Sequence, residues 1–178
     1  ARKRAGEVPG RVAHSAKSWL AHHAVDRSAA FLPWSSEEIS HDRKISPIRA
    51  SALLLNYLRG MWDTRFAAEG GEFRFDAQEI AITVPASFDA VAQRLTLDSA
   101  EEAGYPKTVR LIEEPQAAFY RWLEAHADPD ALWSKLPDGE SNHVLVVDIG
   151  GGTSDFSLFE ISRQEGSSQP AIRRVAVS

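Results

Sequence analysis

Apolar positions change period repeatedly along this chain, and each change marks an element. Ile48, Leu55, Leu58, Trp62 and Phe66 recur at helical spacing, which puts them on one stripe of a long helix. Ser46 is a side chain suited to the N-cap and Pro47 to the first helical position, and Gly70-Gly71 end the pattern. The stripe is expected to be core. Glu79 to Val84 reads as a strand, and Asp89 to Ala103 as a helix closed by Gly104 at the C′ position. Thr108 to Ile112 is another strand, and Pro115 opens a helix to about Ala125. Val144 to Val147 is an unbroken apolar run between turn residues, the pattern of a strand covered on both faces. Ser154-Asp155-Phe156-Ser157-Leu158 alternates with a period of two, and Ala171 to Val177 is a third apolar stretch.

Strand–helix–strand–helix followed by strand–hairpin–strand is half of a duplicated α/β plan with right-handed crossovers. Four segments follow from it. Residues 1–44 are irregular, with a short helical piece around Ala13 to Ala24; 45–126 hold the alternating part; 127–142 are a polar connection with two prolines; 143–178 carry the hairpin and last strand.

The turn of that hairpin is where chemistry enters. Asp148-Ile149-Gly150-Gly151-Gly152-Thr153-Ser154-Asp155 sets three consecutive glycines between carboxylates. Glycine lets backbone N–H groups approach a ligand closely, and a run of them forms an anion-binding nest. A carboxylate beside the nest repels a bare anion but suits a phosphate carrying a divalent metal. A connecting turn needs only Asn-Gly or Asp-Gly. The chain has no G-x-x-x-x-G-K-[ST] and no G-x-G-x-x-G, and its glycines lead into a strand instead of a helix. The reading is nucleotide phosphate with magnesium at the tip of a hairpin.

Composition removes several classes. A net charge of −5 and a pI near 5.7 argue against nonspecific nucleic-acid binding. There is no cysteine, hence no disulfide framework and no thiol chemistry. No apolar run approaches the ~18 residues of a membrane span, and the Ala1-Arg2-Lys3-Arg4 start lacks an apolar signal core. The cytoplasm is the expected compartment. His22 and His23 are adjacent and cannot share a helix face, and neither H-E-x-x-H nor G-x-S-x-G occurs.

The hairpin resembles the second phosphate motif of the actin-like ATPase superfamily, and two further stretches narrow the resemblance. Ile82-Thr83-Val84-Pro85-Ala86-Ser87-Phe88, then Ala92-Gln93-Arg94 and Ala103-Gly104, is similar to the strand, Val-Pro-Ala, helix pattern of DnaK-type heat-shock chaperones. Leu111-Ile112-Glu113-Glu114-Pro115-Gln116-Ala117-Ala118 resembles their Glu-Pro-x-Ala-Ala connection. The similarity runs from about Gly10 to the end. It implies an α/β chain of the actin-like ATPase (ribonuclease H-like) fold, in part: the latter part of lobe I plus the first strands of lobe II. It further implies ATP or ADP with magnesium as cofactors, and unfolded peptides and co-chaperones as partners through the full-length protein.

Roles carry over by position. Lys17 resembles the family's lysine near the transferred phosphate, where positive charge meets developing negative charge; a solvated surface lysine is the plain alternative. Glu114, in register with Pro115, matches the glutamate that positions the attacking water, although an acid favoured by the helix dipole fits Glu113 as well. Asp148 matches the carboxylate that holds magnesium through water. Gly150, Gly151, Gly152, Thr153 and Ser154 match the phosphate loop, with Thr153 beside the γ-phosphate. Asp155 is either a further acid of the metal site or a strand-edge charge.

The chain also departs from the pattern. One residue more than usual separates Pro85 from Arg94, a pair that relays nucleotide state in the family, and Ser87 and Glu113 stand where an aromatic and an asparagine are usual. Glu113 with Asp-Ile-Gly-Gly-Gly-Thr also suits a bacterial actin-like filament ATPase, the alternative reading; a sugar kinase is a distant third. The family's first phosphate motif is not in this sequence. The expectation is therefore an internal fragment of an ATPase, inactive alone, with an unpaired edge at Ile80 to Val84 that favours self-association.

Overall fold

A computed structural model describes residues 7–126, 128–150, 154–167 and 169–177. The described chain is mixed α/β with two small sheets, and it divides into two compact units. One comprises the described residues up to Ala81 with Phe88–Arg110; the other comprises Ile82–Ser87 with the described residues from Leu111.

The first unit is helical. A short helix α1 (Ala16–Leu20) buries Leu20, and α2 (Pro47–Phe66) begins where the capping signals place it. The Ser46 hydroxyl accepts the Arg49 N–H at 3.0 Å with Pro47 in the first turn. Helix α3 (Ala90–Glu102) is capped by Asp89, whose Oδ1 accepts the Ala92 N–H at 2.7 Å. Both Asp89 oxygens also take a guanidinium fork from Arg27, at 2.9 and 3.1 Å. The Arg27 hydrogen bond, then the Ala92 amide, hold the Asp89 carboxyl down at about 2. Gly104 leaves α3 at φ 77, the left-handed conformation that ends a helix. Small residues are buried on both long helices: Ala50 and Ala52 on α2, Ala92, Ser99 and Ala100 on α3. Tyr105 ties the end of α3 back through a 3.1 Å hydrogen bond to the Leu55 carbonyl.

The apolar stripe of α2 is not the core that its spacing suggests. Leu58 is 56 % exposed and Trp62 37 %, while Ile48, Leu55 and Phe66 are half-buried. Period identifies which residues share a face and says nothing about what lies against it. Here the residues of α2 that are buried are Pro47, Ala50 and Ala52, none of them on the apolar stripe. Trp62 instead joins an aromatic group with Phe66 and Phe75, its indole N–H donating to the Phe73 carbonyl at 2.8 Å.

Strands β1 (Ala81–Val84) and β2 (Arg110–Glu113) pair as the two-stranded sheet. In the second unit, helix α4 (Glu114–Ala125) follows β2 directly, then a short helix α5 (Pro129–Trp133). The antiparallel sheet has the order β3 (Ser141–Ile149), β4 (Ser154–Ser162), β5 (Ala171–Val177). Ser154 to Phe159 is therefore strand, as the alternation predicts. The stretch read as a polar connection contributes to the core: Leu132 is buried, and Trp133 and Leu136 pack against Phe119, Phe159 and Ile161. Phe119 of α4 stacks on Phe159 of β4 with ring centroids 4.2 Å apart and planes 4° from parallel.

Strand β3 departs from expectation too. It alternates, with Asn142, Val144 and Val146 toward α4 and Leu145, Val147 and Ile149 on an exposed face, Ile149 at 76 %. An antiparallel sheet is covered by a helix on one side only here, so its all-apolar strand is buried by halves. Among the described residues no helix is long and apolar enough to cross a membrane.

Candidate functional site

The second unit gathers most of the residues that the sequence singles out. Antiparallel pairing sets Asp148 directly opposite Asp155 and Ile149 opposite Ser154, so the two carboxylates share one face at the mouth of the β3–β4 hairpin. Gly150 follows β3. Gly151, Gly152 and Thr153 lie outside the described residues.

Asp155 is 1 % exposed, which rules out a strand-edge charge. Its Oδ1 accepts the Ser87 N–H at 3.3 Å, so the turn after the Val-Pro-Ala stretch meets the base of the hairpin. Among the described residues its Oδ2 is buried without a hydrogen-bond partner, and so is Oγ of Ser157, two residues on and on the same face. A buried, half-satisfied carboxylate is costly, and like charges opposite each other weaken a sheet. The pocket of carboxylates therefore gains from a cation more than an ordinary sheet position would.

Among the described residues no three histidine, cysteine or acidic side chains form a metal cage. This donor set, two carboxylates on facing strand ends, suits magnesium, which keeps waters and is held by one or two carboxylates and the ligand's own phosphates. It does not suit zinc, which wants several nitrogen or sulfur donors.

Glu114 is the first residue of α4, half-buried, with Pro115 fully buried behind it. Glu113 occupies the N-cap position but makes no capping bond; its carboxylate pairs instead with Arg174 of β5. Lys17 belongs to the first unit, exposed on α1. Arg94 forms an ion pair with Asp98 one turn along α3 at 2.8 Å and is 71 % exposed, whereas Pro85 is fully buried.

Three participants escaped the sequence reading. Ser87 contributes a backbone amide, which no side-chain pattern reveals. Arg174 acts across a strand register that the sequence does not specify. Ser157 was legible: Asp155, Ser157, Phe159 and Ile161 form one period-two series, and the apolar members show which way all of them face.

Comparison with known proteins bears on this arrangement. The family model described as Hsp70 protein matches residues 15–167. The chaperone protein HscA homologue of Actinobacillus pleuropneumoniae serotype 5b (strain L20) is 35 % identical over 118 residues, which cover 66 % of this chain and 16 % of that protein. The HscA homologue of Histophilus somni (strain 2336) is 34 % identical over 119 residues, and that of Pasteurella multocida (strain Pm70) 33 % over 119, each covering 67 % of this chain and 16 % of the relative. The chain thus spans about a sixth of the length of these relatives, as the 16 % coverage states.

Proposed function

We propose, for a chain that belongs to the Hsp70 family of chaperones, that the β3–β4 hairpin is the phosphate-and-metal end of an ATP or ADP site. The observation that carries this is the cross-strand pair Asp148–Asp155, one member buried with an oxygen that has no partner among the described residues, at the strand ends that flank Gly150-Gly151-Gly152 in the sequence. Asp148, half-buried nearer solvent, would face magnesium through water. Asp155, pinned by the Ser87 amide, would hold the negative charge that keeps the ion in place. Magnesium supplies charge neutralisation for the phosphates. The amides of Gly150 to Ser154, with the Thr153 hydroxyl, would cradle the phosphate oxygens.

Glu114 would orient the attacking water. It stands at the first turn of α4, where the buried Pro115 and the Phe119–Phe159 stack restrain the backbone that carries it. A residue held this firmly can act in the transition state without first being ordered. Lys17 is the candidate for the cation near the transferred phosphate. In this reading the chain is an incomplete actin-like ATPase fold, with 1–44 and 45–126 in lobe I, 127–142 connecting, and 143–178 beginning lobe II. The whole protein would couple ATP binding and slow hydrolysis to the capture and release of unfolded peptides, with co-chaperones setting the pace.

The test is a separation of binding from turnover in the intact protein. Glu114→Ala should lose at least about a hundredfold in kcat with ATP affinity within about threefold, because a water-positioning group acts mainly in the transition state. Asp148→Ala should weaken the magnesium dependence of ATP binding measured by calorimetry. Unchanged turnover in the Glu114 variant would remove that assignment, and unchanged magnesium dependence in the Asp148 variant would remove the metal site.

A further inference from the structure

We propose that Arg174 is a positioning residue for Glu114, acting through Glu113. This rests on the assignment of Glu114 as the residue that orients the attacking water. Arg173 and Arg174 are neighbours on β5, and a regular strand would send them to opposite faces in a register set by Ser157↔Val177 and Leu158↔Ala176. Continued without interruption, that register would set Phe159 opposite Val175 and Glu160 opposite Arg174. It does not continue. A bulge at Leu158/Phe159 leaves Val175 over and brings Arg174 opposite Phe159 and Arg173 opposite Glu160. A bulge re-aims the side chains that follow it.

Its effect is to divide the two arginines between two jobs. Arg173 lies across from Glu160 on the outer side and donates to its Oε2 through Nε at 3.0 Å and Nη2 at 2.5 Å. Arg174 shares the face of Phe159, the ring on which Phe119 of α4 stacks, and its Nη1 donates to Oε2 of Glu113. Glu113 is the residue immediately before Glu114, and its side chain makes no capping bond to α4. Its carboxylate is therefore free of the usual capping task and serves as a handle for β5. The pair is partly shielded, with 38 % of the arginine side chain and 24 % of the glutamate exposed. The start of α4 is thereby held at three points: the ion pair at 113, the buried Pro115, and the ring stack at 119. Only the first is polar and reversible, and it is one residue from the group proposed to aim the water.

The experiment compares steady-state and single-turnover ATP hydrolysis in the intact protein. Arg174→Ala should lower kcat about tenfold, since small misplacements of a reacting group are costly, with the KM for ATP within about twofold. The double exchange Glu113→Arg with Arg174→Glu should restore most of kcat, and Arg173→Ala, on the other face, should leave it unchanged. Turnover unaffected by Arg174→Ala, while Glu114→Ala abolishes it, would overturn this proposal and leave the water assignment standing. Loss of kcat that the double exchange does not recover, with a matching loss of ATP affinity, would make the pair a structural tie and also overturn it. Full turnover in Glu114→Ala would overturn the assignment on which it rests.

Discussion

Asp155→Asn should make the nucleotide-free protein no less stable and should abolish its magnesium response. Asn matches Asp in shape, so the Ser87 amide keeps its acceptor at Oδ1. In place of the orphaned Oδ2, the amide presents an N–H donor on the face it shares with Asp148. Removing a like-charge cross-strand pair relieves about 0.2–1 kcal/mol. A new hydrogen bond to the Asp148 carboxylate contributes about 1 kcal/mol more. The expected change in EDTA is a gain between about 0 and 2 kcal/mol, in the direction opposite to most buried substitutions. Such a gain is the usual sign of a residue kept for function at a cost in stability. The assay is denaturant unfolding with EDTA and no nucleotide, followed by hydrogen exchange at the β3 and β4 amides, with calorimetry of magnesium-ATP binding in parallel. Destabilisation by more than about 1 kcal/mol in EDTA would refute the reasoning, because it would mean that the Asp155 side chain is already satisfied by the protein alone. So would magnesium-dependent binding that survives the substitution.

Three further outcomes follow from the same structure. Phe119→Ala removes a fully buried ring stacked on Phe159 and should cost about 3–5 kcal/mol, read as faster hydrogen exchange across β3 and β4; Phe156→Ala, on the exposed face, should cost under about 1 kcal/mol. Asp89 is an acid whose folded value, about 2, lies below its ordinary 3.8, so its contribution is present above 3.8 and is lost as pH falls through about 2. Protection at the start of α3 should decline over that window, and Arg27→Ala should move the decline to higher pH; an unmoved midpoint would count against the Arg27 fork. The 178-residue chain should self-associate through its apolar surfaces, Leu145, Val147, Ile149 and Phe156 on the sheet and Leu53, Leu54 and Tyr57 on α2; sedimentation showing only monomer at high concentration would refute this.

Much of this molecule was decided locally and could be read from its residues. Ser46-Pro47 start α2 and Asp89 starts α3 because cap chemistry depends on a few neighbouring atoms. Gly104 stops α3 because only a residue tolerant of positive φ fits there cheaply. The hairpin flanking the glycines, and the burial of Asp155 beside Phe159 and Ile161, follow from a period of two. What depends on a partner was not legible. The stripe of α2 was a true face that is only half covered, with Trp62 against Phe75 and Leu58 exposed, and the unbroken apolar run of β3 hid an alternation in burial, because hydrophobicity records what a residue tolerates and not what covers it. The Asp148–Asp155 opposition needed the pairing register, and the Ser87 contact needed two segments 68 residues apart in the chain. Arg174 reaches Glu113 only because one residue bulges from β5. A one-residue slip exchanges every side chain between faces, and that choice is made by the packing of the whole sheet, which the tertiary structure alone settles.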